Sequence, residues 1–249
     1  MIESSARVVS LVPSWTETLL WAHIHVVGRT RFCIHPQQQI EKIPTVGGTK
    51  GFDLEKILAL KPDFVILDRE ENKKEMADQL KQASVQILVS HVDSFESAAA
   101  FLNEVGVKLN SDLLKQLSHR YIRVSESMSK FNRDKFLQLI HIEGDWARLN
   151  LNEIQYVIWK NPYMVIGQKT FIAEVLKCAG LIVNSEEKYP VITTENLIAN
   201  SCLLSSEPYP FQKEFHQMLS EGFKAVLVDG EKLSWYGIRN LIFLEECLK

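Results

Sequence analysis

Short apolar strands alternate with amphipathic helices through the first hundred residues of the chain. Arg7–Val12 and Asp63–Leu67 have the composition of buried strands, and Asp53–Leu60 between them has that of a helix. The helix is predicted to end before Lys61-Pro62, because proline disfavours helical backbone in the residue that precedes it. Strands separated by helices of this length predict a parallel sheet covered by helices on both faces.

A long helical segment, Ser111–Lys130, interrupts this alternation in the middle of the chain. Apolar residues recur along it at helical spacing, and it contains no internal glycine or proline. At 1.5 Å per residue such a helix spans about 30 Å, the width of a small domain. Afterwards the alternation resumes, with strands predicted at Phe136–Ile142, Gln155–Trp159 and Leu181–Asn184. We therefore predict an α/β fold of two lobes with central parallel sheets, residues 1–108 and 131–249, joined by one backbone α-helix within residues 109–130.

Charge and composition exclude several classes of protein. The formal net charge is -3, which favours neither nucleic acid nor an anionic membrane as partner. No apolar run approaches the roughly 18–20 residues of a membrane span. The first residues lack the basic, apolar and small-residue regions of a secretory signal. We therefore expect a cytoplasmic protein if the sequence is full length, and a periplasmic one if a signal was removed.

The cysteines and histidines form no compact metal-binding motif. The four cysteines are widely spaced, without a C-x-x-C pair, which favours buried free thiols. Cys33 and His35 are the one pair close enough to test for metal, and the sequence leaves the metal question open.

Polar and aromatic residues follow many of the predicted strands. Ligands of open α/β sheets bind outside the carboxyl ends of the strands, so these residues are candidates for a binding site. Tryptophan and tyrosine supply large rigid contact areas suited to flat organic ligands, and Arg239 offers a planar fork to an anionic group. Any one of the tryptophans could instead fill the core. The predicted ligand contacts are Trp15, Phe32, Gly48, Asp68, Trp159, Tyr189, Glu207, Trp235 and Arg239.

An ordered series of short motifs resembles the N-terminal lobe of the helical-backbone metal receptors. These are the periplasmic binding proteins of cobalamin, iron-siderophore and haem importers, and the closest resemblance is to the cobalamin-binding branch and its signal-less relatives. The resemblance covers roughly residues 7–105, with a weaker pattern continuing to the C-terminus. The motifs are Arg7–Pro13, Ser14-x-Thr16-Glu17, Val27-Gly28, Pro36, Val46-Gly47-Gly48, Asp53-Leu54-Glu55 and Leu60-Lys61-Pro62-Asp63.

The resemblance implies a ligand held in a cleft between two lobes. Phe32 matches an aromatic contact position, whereas Asp68 stands where cobalamin receptors have a stacking tryptophan. Receptors of this type dock on a membrane permease through one surface glutamate per lobe, and Glu71 or Glu75, together with Glu207, are the matching candidates.

We therefore predict a monomeric solute-binding protein for a metal chelate or a corrinoid or tetrapyrrole-like ligand. Its partners would be that small molecule and an ABC-transporter permease, and the protein would not itself span a membrane. No catalytic residue and no certain cofactor are assigned, although cobalamin is a candidate ligand. The alternative is an intracellular enzyme or ligand sensor on the same fold, which would use carboxylates in the cleft together with Arg239.

Overall fold

The computed structural model describes residues 6–248 and contains two six-stranded sheets within them. The chain divides into two compact units. The first unit comprises the residues up to Arg123 together with Tyr236–Leu241, and the second comprises Val124–Trp235 together with the residues from Ile242 onwards. The observed fold is the predicted α/β fold, with a separate sheet in each half of the chain. The lobe boundaries and the bridging function of the long helix stay predictions.

The sheet of the first unit has the strand order β4-β3-β2-β1-β5-β6. Neighbouring strands are parallel except for the antiparallel pair β3 and β4. Its strands are β1 (Val8–Ser10), β2 (Val26–Thr30), β3 (Thr45–Gly48), β4 (Gly51–Phe52), β5 (Phe64–Asp68) and β6 (Ile87–Ser90). The accompanying helices are α1 (Pro13–Trp21), α2 (Gln37–Ile40), α3 (Leu54–Ala59), α4 (Lys74–Gln82) and α5 (Phe95–Lys108).

Apolar strands and capped helices explain this half of the fold. Val9 of β1 and Val65 of β5 are fully buried and pack in one cluster with Ile57 of α3, as expected for a sheet covered by helices. Asp53 begins α3 by accepting a hydrogen bond from the backbone N–H of Lys56 at 3.2 Å.

The predicted long helix is observed as α6 (Asp112–Glu126), followed by a 3-10 turn at Met128–Lys130. Leu114, Leu117, Tyr121 and Val124 are buried at the predicted helical spacing.

The sheet of the second unit has the order β10-β9-β8-β11-β12-β7. Its central strands β8, β11 and β12 are parallel, and antiparallel strands flank them on both sides. The strands are β7 (His141–Gly144), β8 (Ile154–Trp159), β9 (Tyr163–Val165), β10 (Val191–Ile192), β11 (Ser201–Ser205) and β12 (Lys224–Val228). The helices are α7 (Arg133–Ile140), α8 (Phe171–Cys178), α9 (Thr194–Ala199), α10 (Phe215–Ser220), α11 (Gly230–Ser234) and α12 (Ile238–Cys247).

Two strand predictions in this half are wrong. Most of Phe136–Ile142 belongs to helix α7, because Asn132 caps the helix by accepting from the Lys135 N–H at 3.0 Å. The apolar side chains of Phe136 and Ile140 are four residues apart, and both are fully buried on one helical face. Leu181–Asn184 is not assigned to a strand.

Within residues 6–248, none of the helices combines the length and apolar character needed to cross a bilayer.

Candidate functional site

An open groove lies beside the carboxyl ends of β2 and β3 in the first unit and has a volume of about 340 Å³. We call it the Phe32 groove. Phe32 follows β2 and is 46% exposed, and the Arg31 guanidinium carbon lies 4.9 Å from the centre of its ring. Two of the predicted site residues, Phe32 and Gly48, are thereby brought together. The lining residues are Arg31, Phe32, Gly48, Thr49, Lys50 and Gly51.

Glycines shape the wall of the Phe32 groove. At Gly48 a Cβ atom would approach Phe32 Cε2 to 3.3 Å, so a side chain there would push against the exposed ring. Gly47 has φ +135, and a Cβ there would lie 2.6 Å from the Phe52 Cα. The sharp connection from β3 to β4 therefore requires glycine at position 47.

A buried amide links the loops behind the groove. The Asn72 side chain accepts from the backbone N–H of Asp68 at 2.8 Å and donates to the carbonyl of Thr49 at 2.8 Å. It also donates to the carbonyl of Leu11 at 3.2 Å. One side chain thus connects the carboxyl ends of β1, β3 and β5, and one of its partners, Thr49, lines the Phe32 groove.

Asp68, a predicted ligand contact, is a buried structural acceptor. Its carboxylate accepts from the Ser90 hydroxyl at 2.7 Å and from the Glu70 N–H at 2.8 Å. The side chain is 3% exposed. Both carboxylate oxygens of Asp68 thus accept internal hydrogen bonds, and ligand contact by Asp68 stays a prediction.

Glu71 follows in the same turn and is half-buried. Burial raises its pKa to about 8, and the neighbouring Asp68 carboxylate contributes to the rise. The charge of Lys50 and a hydrogen bond with the Tyr236 hydroxyl lower the pKa of Glu71, but their effect is smaller than that of burial. Glu71 is therefore mainly an uncharged carboxylic acid at neutral pH.

Trp15 belongs to the core of the first unit. It is 2% exposed, its indole N–H donates to Ser90 Oγ at 2.9 Å, and its ring packs 4.9 Å from those of Phe101 and Tyr236. The ring of Trp15 is thus packed inside the first unit, and its contact with a ligand stays a prediction. Its position after β1 was informative, but the side chain points inward.

Arg239 forms an internal ion pair in the same unit. Its guanidinium donates to both carboxylate oxygens of Glu17, at 2.9 and 2.7 Å. The N–H groups predicted to grip an anionic ligand are therefore engaged with α1. Gly237, with φ +98, donates its N–H to Tyr121 Oη at 2.8 Å, which further fixes the start of α12.

A cluster of aromatic and charged side chains marks the carboxyl edge of the second sheet. We call Trp159, Lys160, Tyr209 and Glu214 the Trp159 face. Trp159 ends β8, is 42% exposed, and contacts the Tyr209 ring edge-on at 5.6 Å between centres. The Tyr209 hydroxyl donates to Glu214 Oε1 at 2.6 Å, and Lys160 donates to Glu214 Oε2. The Lys160 and Tyr209 hydrogen bonds lower the pKa of Glu214 and keep it ionised.

The other predicted residues of the second unit take different places. Glu207 is half-buried and follows β11 at the carboxyl edge, whereas Trp235, also half-buried, lies at the end of α11. The backbone of Glu207 lies against Gly230, where an added Cβ atom would lie 2.8 Å from the Glu207 nitrogen. Tyr189 precedes β10, where Gly167 donates to the Lys188 carbonyl at 2.9 Å. This pairing places Tyr189 towards the amino end of β8, away from Trp159.

Cys33 and His35 are the candidate metal ligands. Cys33 is buried, with its sulfur 3.1 Å from Thr16 Oγ1 and 3.2 Å from Thr30 Oγ1. Burial raises the pKa of its thiol, which disfavours the thiolate that binds metal. Within residues 6–248, Cys33 and His35 join no group of three or more side chains able to hold a metal ion.

Seven residues of these surfaces were not among the predicted contacts: Arg31, Thr49, Lys50, Gly51, Lys160, Tyr209 and Glu214. Arg31 directly precedes Phe32, and Lys50 follows Gly48 in the β3–β4 hairpin. Their closeness in sequence to predicted contacts could have identified both. Tyr209 is an aromatic residue in the loop after β11, and this position could also have identified it. Glu214 lies 54 residues from Lys160, and nothing in the local pattern links them.

The sequence of this chain matches a known family over more than half of its length. Residues 8–137 match the profile described as "Periplasmic binding protein". The vitamin B12-binding protein of Salmonella paratyphi A is 32% identical over 199 residues, covering 79% of this chain and 70% of that protein. The vitamin B12-binding protein of Salmonella typhi is 23% identical over a stretch of the same length and coverage.

Solved structures share the fold. The vitamin B12-binding protein BtuF of Vibrio cholerae superposes with a TM-score of 0.71 at 18% identity, covering 98% of this chain and 96% of that one. A periplasmic heme-binding protein from Pseudomonas aeruginosa gives 0.75 at 20% identity, covering 98% and 91%. The chain therefore belongs to the periplasmic binding protein family and is a solute-binding protein similar to the vitamin B12-binding proteins of ABC transporters.

Proposed function

We propose that this protein binds a metal chelate of the corrinoid or tetrapyrrole type and performs no catalysis. The observation that carries the proposal is the exposure of Phe32 and Trp159 at the carboxyl edges of their sheets, 46% and 42% respectively. Large aromatic rings left this exposed beside strand ends suit a flat conjugated ligand. The names of the relatives, which include vitamin B12-binding and heme-binding proteins, support the same ligand class.

The two aromatic surfaces differ in how their rings are supported. Phe32 is supported by the Arg31 guanidinium and lies close to Gly48, which leaves the wall of the groove free of side chain. Trp159 is supported by Tyr209, whose hydroxyl is fixed by Glu214. Each ring is therefore held in place before binding, which reduces the entropy lost when a ligand docks.

The alternative of an intracellular enzyme or sensor has little support. The chemical groups it required are engaged elsewhere, since Arg239 is paired with Glu17 and Asp68 accepts three hydrogen bonds. The relatives are named as binding proteins. The family description favours a periplasmic location over a cytoplasmic one.

Calorimetric titration of the purified protein with cobalamin, haem and a ferric siderophore tests the proposal. We expect one of them to bind, and Phe32→Ala and Trp159→Ala each to weaken binding by roughly ten- to a hundredfold, the loss of about 1–3 kcal/mol of contact. Trp21→Ala is the matched control, since Trp21 is 39% exposed but lies at the end of α1 beside Arg120. A folded protein that binds no chelate would contradict the function, and full binding by both variants would contradict the surfaces.

Docking on a permease is the second part of the proposal. Glu75 is exposed in the first turn of α4, whereas Glu71 is half-buried with a raised pKa, so Glu75 is the better source of a surface charge in the first unit. Glu207 is the candidate in the second unit. We expect Glu75→Lys and Glu207→Lys to abolish ligand uptake in cells that carry the transporter while calorimetric affinity stays unchanged. A parallel loss of affinity would assign these residues to the ligand instead.

A further inference from the structure

The charged residues that line the Phe32 groove are all positive. Two of its six lining residues, Arg31 and Lys50, are cations, and none of the six is acidic. Their positive charges lie beside an exposed aromatic ring and a glycine, so an approaching flat molecule would meet them at its edge. A ligand with acidic groups around a flat ring would match both features.

Arg31 is exposed and available to a ligand. Its guanidinium stacks on the Phe32 ring, and within residues 6–248 no carboxylate forms an ion pair with it. A guanidinium over an aromatic ring keeps its in-plane N–H donors for hydrogen bonds to an anionic group. Arg239 differs, because the Nε–Nη2 edge of its guanidinium is paired with the Glu17 carboxylate, which offsets its charge. The anion-binding role that the sequence suggested for Arg239 is therefore better suited to Arg31.

Lys50 is positioned by the backbone. Its ammonium group donates to the Glu70 carbonyl at 2.6 Å, which fixes the side chain at the tip of the β3–β4 hairpin. An ammonium group has three donors, so two remain for a ligand. Loss of conformational entropy on binding is reduced for a side chain that is already held.

We propose that the Phe32 groove selects ligands that carry free carboxylates at the edge of a flat conjugated ring, with Arg31 and Lys50 as the specificity-determining residues. This inference rests on the proposed function and narrows its ligand class. Corrinoids whose side chains are uncharged amides are then the weaker ligands, and chelates with carboxylate side chains the stronger ones.

The acidic residues near Lys50 do not neutralise its positive charge completely. Glu70 lies with one carboxylate oxygen 3.5 Å from His91 Nε2, and Glu71 is protonated at neutral pH because burial raises its pKa to about 8. Asp68 is buried beneath the turn and accepts hydrogen bonds from backbone N–H groups and Ser90. The Tyr236 hydroxyl is the remaining group that faces Glu71. The positive charge of Lys50 is therefore only partly offset.

The test compares two corrinoids that share one ring and one metal. Cobyrinic acid carries free carboxylates at its periphery, and cobinamide carries amides at the corresponding positions. We expect wild-type protein to bind cobyrinic acid at least tenfold more tightly at low salt, because charge-assisted hydrogen bonds are about twice as strong as neutral ones. Iron protoporphyrin, with two carboxylates, forms a third arm that separates corrinoid from porphyrin ligands.

Substitutions of Arg31 and Lys50 test whether these two residues cause the preference for cobyrinic acid. Arg31→Gln and Lys50→Gln should each weaken cobyrinic acid binding by roughly 5- to 30-fold and cobinamide binding by less than about twofold. Lys42→Gln removes the same charge from an exposed position outside the groove and should change neither affinity. Raising the salt concentration should reduce the preference, since exposed charges are screened.

The outcomes separate the two levels of the proposal. Equal affinity for both corrinoids, or equal loss of both in Arg31→Gln, would overturn the charge selectivity while leaving a chelate-binding protein. Failure of folded wild-type protein to bind any of the three compounds would overturn both.

Discussion

The carboxyl edges of the two sheets carry different kinds of surface. The Phe32 groove consists of hairpin backbone, one ring and two cations, and its loops are linked underneath by buried polar groups such as Asn72. The Trp159 face consists of rings on the surface, fixed by the Glu214 carboxylate. The difference is that the buried amide of Asn72 fixes the backbone of a loop that lines the Phe32 groove, whereas side-chain hydrogen bonds to Glu214 fix the ring that contacts Trp159.

The acid nearest each surface has a pKa shifted in a different direction: Glu71 lies in the turn near Lys50, and Glu214 belongs to the Trp159 face. Burial raises the pKa of Glu71 to about 8, whereas the Lys160 and Tyr209 hydrogen bonds lower the pKa of Glu214. A raised carboxyl pKa means that stability is lost as the pH rises. A lowered one means that stability is lost as the pH falls. The contributions of Glu71 and Glu214 to the free energy of unfolding should therefore depend on pH with opposite signs.

Asn72→Ala should produce the largest loss of stability. It removes three hydrogen bonds and leaves buried backbone partners unsatisfied, at a cost of roughly 2–4 kcal/mol. Chemical denaturation measures the change, with Asn103→Ala on the exposed side of α5 as the control. A loss below about 1 kcal/mol would show that the loops behind the Phe32 groove do not depend on this amide.

Glu71→Gln should make stability less sensitive to pH. The unfolded pKa is near 4.5 and the folded pKa about 8, so wild-type stability declines as the pH rises through this window. The slope is at most about 1.4 kcal/mol per pH unit relative to the variant. Denaturation at a series of pH values checks this, with Glu104→Gln as the control. Parallel curves for wild type and Glu71→Gln would exclude a raised pKa.

Glu214→Gln should have the opposite pH signature and a smaller effect. Above pH 4.5 the ionised Glu214 stabilises the fold through Lys160 and Tyr209, by about 1 kcal/mol for a partly exposed pair. The difference should disappear as the pH falls through the lowered pKa. Denaturation melts provide the measurement and Glu186→Gln the control. A stabilised variant at pH 7 would mean that Glu214 does not support Tyr209.

The smallest effect concerns ligand affinity. As the pH rises through about 8, ionisation of Glu71 should weaken binding of a carboxylated chelate by a few-fold, because the new charge lies near Lys50. In Glu71→Gln the affinity should stay level over the same range. Titration calorimetry at pH 7 and pH 9 distinguishes the two, and equal pH dependence in both proteins would place the titrating group elsewhere.

Local sequence was a good guide where one segment sufficed. The apolar stripe from Leu114 to Val124 predicted α6, and Phe32 and Gly48, which were both selected for their positions near strand ends, line the same groove. It failed at Phe136–Ile140, where an apolar run fits either a strand or a helix. There the Asn132 cap favoured the helix.

By itself, the sequence determined the α/β class, the helix in the middle of the chain and which residues lie near strand ends, because these depend on periodicity and composition within short segments. Only the tertiary structure decided which of those residues are available to a ligand. Trp15 turned inward to Ser90, and Arg239 paired with Glu17 across 222 positions of sequence. A side chain's direction and its distant partner depend on how the whole unit packs, and no local pattern encodes that.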